Sequence, residues 1–482
     1  MASNIVEESS ENGITSEVKL TDNLEHLNTC IREVDALSIS QQQPTFSEQS
    51  NENTENEDNQ SACSLLSQDE DYRKNADWLN KSKHIFVMST AGKPIYSRHG
   101  NENKLATLFG VMQAIVSFVQ DQNDTIKFVQ AGNTTTVFLI KTHIILVAVS
   151  KTQENVKQLV LQLNYVFNQI ISILTMTTLN KTYEKRRNFD LRRSLSGVER
   201  LIDHLLDFYE KEPAFTFGAV QFLPLQSSVR DNIGSAIIQA CSKIKNVVFG
   251  ILLANDQFIT IVRMKKYFIH PCDLHLILNL VHASESLKAA ESWTPLCLPH
   301  FNEDGYLYSH VSYLAEDCQA CLLLLTTDRD VFFALSEAKQ RIVEKLRRGN
   351  CLEAINESLN TPKETAIVSG FPEIRHYIYK TKSTSQFYQP TVGPPYNINR
   401  PLLFMLYKRT QQLLHHGGSP MKLIFEKSPD EAILAWDTKE FELYIIFEPL
   451  IDTAASIATV SRLLNWLKKR EDRLFQMNQL LF

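Results

Sequence analysis

Three times along the chain the hydrophobic period switches in one order: two strand-like runs, an amphipathic helix, three more strand-like runs and a second helix. The first copy reads strands at Lys83–Ser89 and Lys93–Arg98, a helix at Lys104–Asp121, strands at Thr125–Ala131, Thr134–Lys141 and His143–Ser150, then a helix at Glu154–Met176. The second reads Asn246–Ala254, Gln257–Met264, a helix at Pro271–Leu287, then Trp293–Leu298, Tyr306–Leu314, Cys318–Thr326 and a helix at Val331–Leu346. The third reads Ile374–Lys380, Ser385–Gln389, a helix at Arg400–His415, then Lys422–Glu426, Ala432–Trp436, Glu440–Phe447 and a helix at Thr453–Lys469. Strands are read from short runs rich in Val, Ile, Phe and Tyr, bounded by turn residues, and helices from longer 3–4 spacing. A supersecondary order that recurs constrains the fold more than any one element. The pattern predicts an α+β chain: a tail at 1–77, domains at 78–180, 246–350 and 351–482, and a helical connector at 181–245.

Composition agrees with that count. At roughly 150 residues per domain, 482 residues make about three, and 43% hydrophobic residues supply the cores. The longest apolar runs, such as Ile144–Val149 and Cys321–Leu325, are strand-sized, well short of the ~18 residues of a membrane span. Glu7, Glu8 and Glu11 stand where a secretory signal would be basic and apolar. Eight cysteines without dense spacing fit reduced thiols. The expectation is a soluble, cytoplasmic protein. Charge is uneven: residues 1–75 carry a net −12 and the rest of the chain +6. That first stretch is rich in Ser, Gln and Asn and poor in aromatics, so disorder is expected. It is either a solvated tail or a segment that shields an anion-binding body.

A five-stranded antiparallel sheet with flanking helices matches the longin type, a platform for protein contacts that brings no nucleotide or metal site. In the first central helix, Leu105, Leu108, Met112, Ile115 and Val119 form one stripe at ~100° per residue. Phe109, Val116, Val111 and Phe118 widen it. The arc spans roughly 220°, whereas covering one sheet needs about 100°. Either this helix is deeply buried within a larger domain, or a partner chain covers the excess face.

Bond-making motifs are lacking. Ala91–Lys93 (AGK) has neither the preceding glycine nor the following hydroxyl of a phosphate loop and reads as a turn. No GxSxG elbow or HExxH helix occurs. His270, Cys272, Asp273 and His275 have metal-ligating side chains, but their spacing is compressed and Pro271 opens a helix there; no metal or cofactor is expected. Cys318 and Cys321 form a single CxxC at the start of a buried strand, which favours structure. Basic residues Lys185, Arg186, Arg187, Arg192 and Arg193 crowd the segment after the first domain, and others close later elements at Arg263, Lys265, Lys266, Lys345, Arg347, Arg348 and 468–470. They are either solvated helix ends or, together, a surface for anionic, phosphoinositide-bearing membrane. A sequence pI of 6.1 and the want of a basic–aromatic module argue against nucleic acid.

Residues 83–100 (KHIFVMSTAGKPIYSRHG) and 110–118 (GVMQAIVSF) closely resemble the signature of the SAND family of vacuolar-fusion proteins. The resemblance continues in order through NFDLRRSLSG at 188–197, HPCDLHL at 270–276, ESWTPLCLP at 291–299, RHYIYKTKS at 375–383, FELY at 441–444 and REDRL at 470–474. It covers the chain from about Trp78 onward and leaves the tail unmatched.

The resemblance implies a subunit of a guanine-nucleotide exchange factor rather than a bond-making enzyme. With a Ccz-family partner, itself a three-longin protein, it would activate the late-endosomal Rab-seven-type GTPase. The first longin domains of the two proteins would pair and hold the Rab. Endosomes and the vacuole or lysosome are the implied membranes. Candidates for the Rab-seven and partner surface are Gly100, Asn101, Lys104, Thr107, Leu108, Met112 and Gln113. A Rab-five-type GTPase is the implied recruiter, and Trp293, which reads as either core or interface anchor, is its candidate contact. The competing reading is a non-catalytic longin adaptor or tether that binds active Rabs.

Overall fold

Each predicted switch of period becomes a change from sheet to helix in the computed structural model, which describes residues 76–482 apart from 196, 285–286, 288–289, 316–317, 362–363 and 417–420. The acidic segment 1–75 lies outside the described residues. The chain forms two compact units, one ending at Leu163 with Arg186–Arg193 added, the other made of Asn164–Lys185 and Ser194–Phe482.

The first unit opens with α1 (Ala76–Leu79) and holds β1 (Lys83–Ser89), β2 (Pro94–Ser97), α2 (Ala106–Asp121), β3 (Phe128–Ala131), β4 (Thr134–Ile140) and β5 (Ile144–Ser150). The five strands are antiparallel in the order β2-β1-β5-β4-β3. Successive side chains of a strand point to opposite faces. Phe86, Met88, Phe138, Ile145, Val147 and Val149 therefore form one core with Leu105, Leu108, Phe109, Met112, Ile115 and Val116 of α2. The alternate residues Ile85, Val87, Ile144, Leu146 and Ala148 are also buried, which is why β1 and β5 read as unbroken apolar runs. On that second face the buried Lys83 ammonium donates to Gln162 Oε1 at 3.2 Å and pairs with Glu154.

Two boundaries move inward from their expected places. Asn101 makes a side-chain turn, accepting from Asn103 N at 3.0 Å, while its carbonyl takes Lys104 N and Leu105 N. Such local bonds compete with helix, so α2 begins at Ala106 rather than Lys104. Asp124 accepts its neighbour's N–H at 2.7 Å, and β3 starts only at Phe128. The helix expected over 154–176 is two, α3 (Val156–Leu174) and α4 (Met176–Lys185). Thr175 lies between them at φ 59, and its hydroxyl accepts from Thr178 N. No single helix among the described residues is long and apolar enough to cross a membrane, and α3 with α4 bends by 81°.

The second unit continues with α5 (Glu199–Lys211), α6 (Pro213–Phe217), β6 (Val220–Gln221) and α7 (Ser227–Cys241). The second repeat follows as β7 (Val247–Ala254), β8 (Gln257–Arg263), α8 (Pro271–Ala283), β9 (Ser292–Leu298), α9 (Pro299–Asn302), β10 (Glu303–Ala315), β11 (Cys318–Thr326) and α10 (Phe332–Arg348), then α11 (Cys351–Asn360). The third comprises β12 (Ile374–Thr381), β13 (Gln386–Tyr388), α12 (Arg400–His416), β14 (Leu423–Lys427), β15 (Ala432–Asp437), β16 (Phe441–Phe447), α13 (Thr453–Lys469), α14 (Glu471–Leu474) and β17 (Leu480–Leu481).

Each repeat contributes the five antiparallel strands expected of it, and two of the sheets gain one more. The second and third sheets have six strands, ordered β17-β8-β7-β11-β10-β9 and β14-β15-β16-β12-β13-β6. The sixth strand is parallel in each case and comes from the other repeat's flank: β6, in the connector expected to be helical, joins β13, and β17, after the third repeat, joins β8. This exchange is tightly seated. A Cβ at Gly234 would overlap Leu480, and one at Gly250 would meet Phe482 at 3.2 Å. Arg230, 2% exposed, donates to the carbonyls of Leu223, Ile259, Asp472, Arg473 and Phe475 at 2.8–3.1 Å. All its nitrogens are thereby hydrogen-bonded without a carboxylate.

Candidate functional site

Ala91–Lys93 forms the β1–β2 turn, with Gly92 at φ 76 and its N–H on Ser89 O. Lys93 Nζ donates to the carbonyl of Asn188 at 2.6 Å. Cys318 and Cys321 are both buried but belong to different clusters, one on each face of β11. Residues three apart on a strand point opposite ways, so one ion could not be held by both.

The α2 surface divides the residues expected there. Leu108 and Met112 are 8% and 2% exposed and sit in the first unit's own core. Their assignment to a partner interface is corrected, because the sheet itself takes this part of the wide apolar arc. Gln113 is half-buried, donates to Ser117 Oγ at 2.8 Å and lies beneath Gly92. Gly100, Asn101, Lys104 and Thr107 are exposed. Their loop is braced: Trp78 Nε1 donates to His99 O at 3.0 Å, Ser97 Oγ to the same carbonyl at 2.7 Å, and Gly100 at φ 91 leaves only 3.2 Å for a Cβ against Trp78 and Leu105. The outward face that remains consists of Ala106, Thr107, Gly110 and Ala114, with Val111, Phe118 and Val119 half-buried beside them. No charged residue occurs between Lys104 and Asp121. This is a smooth apolar face, and it contains no bond-making chemistry.

Helix α8 occupies the equivalent place in the second repeat, and the chain covers it. His275 is fully buried; its Nε2 meets Ala219 O at 2.9 Å and its Nδ1 meets Tyr165 OH at 2.8 Å. A carbonyl only accepts, so Nε2 carries the proton and Tyr165 donates to Nδ1. Burial, opposed by the Ala219 bond, holds His275 down at about 4. One turn on, Asn279 Nδ2 donates to Gln169 Oε1 and Leu201 O, and its Oδ1 meets His204. The run His270, Cys272, Asp273 and His275 thus splits. His275 belongs to the core, Asp273 is wholly buried, and His270 Nδ1 caps the helix by accepting from Cys272 N at 3.2 Å.

Trp293 is half-buried on β9, the end strand of the second sheet. It stacks on Tyr308 (centroids 5.8 Å, 12°) and meets Phe332 edge-on at 5.8 Å. Phe333, 79% exposed, adjoins Phe332. No motif marked these aromatic neighbours, which the fold brings from β10 and from the start of α10.

Lys185, Arg186, Arg187 and Arg193 are exposed. Arg192 is not a free membrane cation. Its Nε and Nη2 grip Asp190 at 3.1 and 3.0 Å, and its Nη1 donates to Asn103 Oδ1 at 2.7 Å. The Arg192 hydrogen bond pulls the Asp190 carboxyl below its ordinary range and raises the guanidinium in return.

Residues 83–205, 245–344 and 373–471 match the first, second and third longin domains of FUZ, MON1 and HPS1. The chain is 42% identical to the chicken (Gallus gallus) vacuolar fusion protein MON1 homolog A, over 83% of this chain and 72% of that one. It is 41% identical to Protein SAND of the pufferfish Takifugu rubripes, over 86% and 80%. Mouse (Mus musculus) MON1 homolog B is 36% identical over 83% and 75%. Three longin folds in this order, with identity of that extent, make the chain a member of the MON1/SAND family.

Proposed function

We propose that this chain is one subunit of a heterodimeric guanine-nucleotide exchange factor that activates a Rab-seven-type GTPase, and so drives early-to-late endosome conversion and fusion with the vacuole or lysosome. The observation that carries the reading is the bare, uncharged outer face of α2. An apolar face of small residues lets a second backbone approach closely, and the occupant we assign is a Ccz-family longin protein. Relatives named for vacuolar fusion support the same setting. Exchange itself needs no bond-making side chain. A factor that binds the nucleotide-free Rab better than the loaded Rab weakens nucleotide by that same difference, tenfold for each ~1.4 kcal/mol. The exposed loop and helix residues Gly100, Asn101, Lys104 and Thr107 lie where the joined surface would meet the Rab.

Release of labelled nucleotide from purified Rab-seven tests this directly. Acceleration is expected with both subunits and not with either alone; equal release with and without the pair would leave the adaptor or tether reading.

Recruitment is assigned to other residues. Trp293 on the end strand of the second sheet is the proposed contact for a Rab-five-type GTPase, and Lys185, Arg186, Arg187 and Arg193 for anionic, phosphoinositide-bearing membrane. Each basic residue near such a surface contributes about 1 kcal/mol. Trp293→Ala, or Glu at Lys185, Arg186 and Arg187, is expected to lower exchange on Rab-five-bearing liposomes while leaving exchange in solution unchanged. Unchanged rates on liposomes would remove the assignment.

A further inference from the structure

We propose that His270, Cys272 and His300 hold one zinc-class divalent ion, with solvent in the fourth position. His300 lies in α9, 30 residues along the chain, so spacing could not bring it to the other two. The fold does: one donor atom from each residue lies within 4.8 Å of the others, and the two imidazoles stack at 4.4 Å and 8°. Zinc takes nitrogen at about 2.0–2.1 Å and thiolate at about 2.3 Å in tetrahedral geometry. The donors therefore need to close by roughly an ångström, within reach of ring rotation because His270 and His300 are both at the surface.

The hydrogen bonds around the cluster orient one of its two imidazoles. Nδ1 of His270 accepts from Cys272 N at 3.2 Å, so its ring proton is on Nε2, and binding an ion requires either that Nδ1 give up this cap bond or that the proton move to Nδ1. His300 Nδ1 lies 3.3 Å from Asp273 Oδ1, which also accepts His300 N at 3.2 Å. There Nε2 is the nitrogen left over. A carboxylate behind the far nitrogen of a ligand histidine is the usual support of such sites, fixing tautomer and ring plane. Asp273 is 0% exposed, and its Oδ2 has no hydrogen-bond partner among the described residues. A buried half-satisfied carboxylate is costly, and a divalent cation beyond His300 would offset that cost.

The third donor has its own support. Cys272 Sγ donates to Tyr165 OH at 3.3 Å, and Tyr165 in turn donates to His275. On binding, the metal–sulfur bond replaces the S–H bond and the thiol proton leaves to solvent. With three protein donors and surface access, the site has the ligand number of zinc centres that keep an open position. The ion would tie the first turn of α8 to α9, which directly follows β9, the strand that carries Trp293.

The test uses the tag-free full-length chain, stripped with chelator, and two metals. Zinc competed against a chelating dye should load one equivalent per chain. Cobalt should give a sulfur-to-metal charge-transfer band together with visible bands of tetrahedral type. Cys272→Ser should abolish the charge-transfer band, His300→Gln should remove stoichiometric binding, and Asp273→Asn should weaken zinc about 10–100-fold. Melting curves check that each variant folds, and His300→Gln, at the surface, is the variant to use should Cys272→Ser unfold. Failure of the parent chain to load zinc would overturn the proposal. So would a folded Cys272→Ser or His300→Gln chain with parental stoichiometry and affinity, which would place the ion elsewhere.

Discussion

Helices α2 and α8 hold the same position in their repeats and both are rich in apolar residues, yet α8 buries nine of its 13 residues and α2 five of 16. The difference lies in what the second side of each helix meets. For α8 the chain supplies a further layer: Tyr165 and Gln169 of α3 and Leu201 and His204 of α5 bond to His275 and Asn279. The polar groups at positions 275 and 279, one turn apart, are matched to partners within the chain. On α2 the exposed positions one turn apart are Ala106, Gly110 and Ala114, and a Cβ on Gly110 would meet nothing within 4 Å. One helix is closed by its own chain. The other keeps an uncharged face of small residues exposed.

The comparison is most sharply broken by truncating the covering layer. Tyr165→Ala removes a fully buried ring, a loss of about 3–5 kcal/mol for large aromatics. Asn279→Ala leaves Gln169 and the Leu201 carbonyl short of a donor, at about 1–3 kcal/mol. Thr107→Ala on the bare face of α2 should fall within about 0.5 kcal/mol of the parent. Denaturant melts of the three variants measure this, and equal effects would mean that the two helices are buried alike.

Acid gives a smaller and broader effect. His275 and His376 in the second unit and His84 in the first are held near 4 by burial first of all, the last with help from neighbouring His99 and Lys151. The folded values lie below the ordinary 6.5, so the unfolded chain binds more protons between the two. Stability is fully present above about 6.5 and falls as pH drops toward 4. Glu442 extends the loss. Burial by itself would raise its carboxyl, but hydrogen bonds from His415 and Lys380 hold it at about 2, so its contribution disappears between 4.5 and 2. Melting temperatures across pH 7 to 4 should decline steadily; a flat profile would contradict neutral buried imidazoles.

How much of this was legible beforehand follows from what a local pattern can carry. The strands and central helices were readable because periods of 2 and 3.6 persist over many residues. The strands β6 and β17, two residues each, have no period to show, so the sixth position in two sheets was invisible. The width of the α2 arc was plain, but Leu108 and Val111 are alike in chemistry, and only the position of the sheet decides that the first is core and the second half-exposed. Arg192 looked like its basic neighbours because Asn103 is far from it in the chain. Trp293 was legible as an aromatic on a strand; its place at the sheet edge required the order of six strands.

The most direct test of the central claim places charge on the outer face of α2 alone. Gly110→Glu with Ala114→Glu adds two carboxylates at exposed positions, and glutamate favours helix over glycine by close to 1 kcal/mol. The altered chain should melt at or above the parental temperature yet fail to co-purify with the proposed Ccz-family partner or, together with it, to accelerate nucleotide release from Rab-seven. A doubly charged chain that still binds the partner and drives exchange at the parental rate would contradict the account.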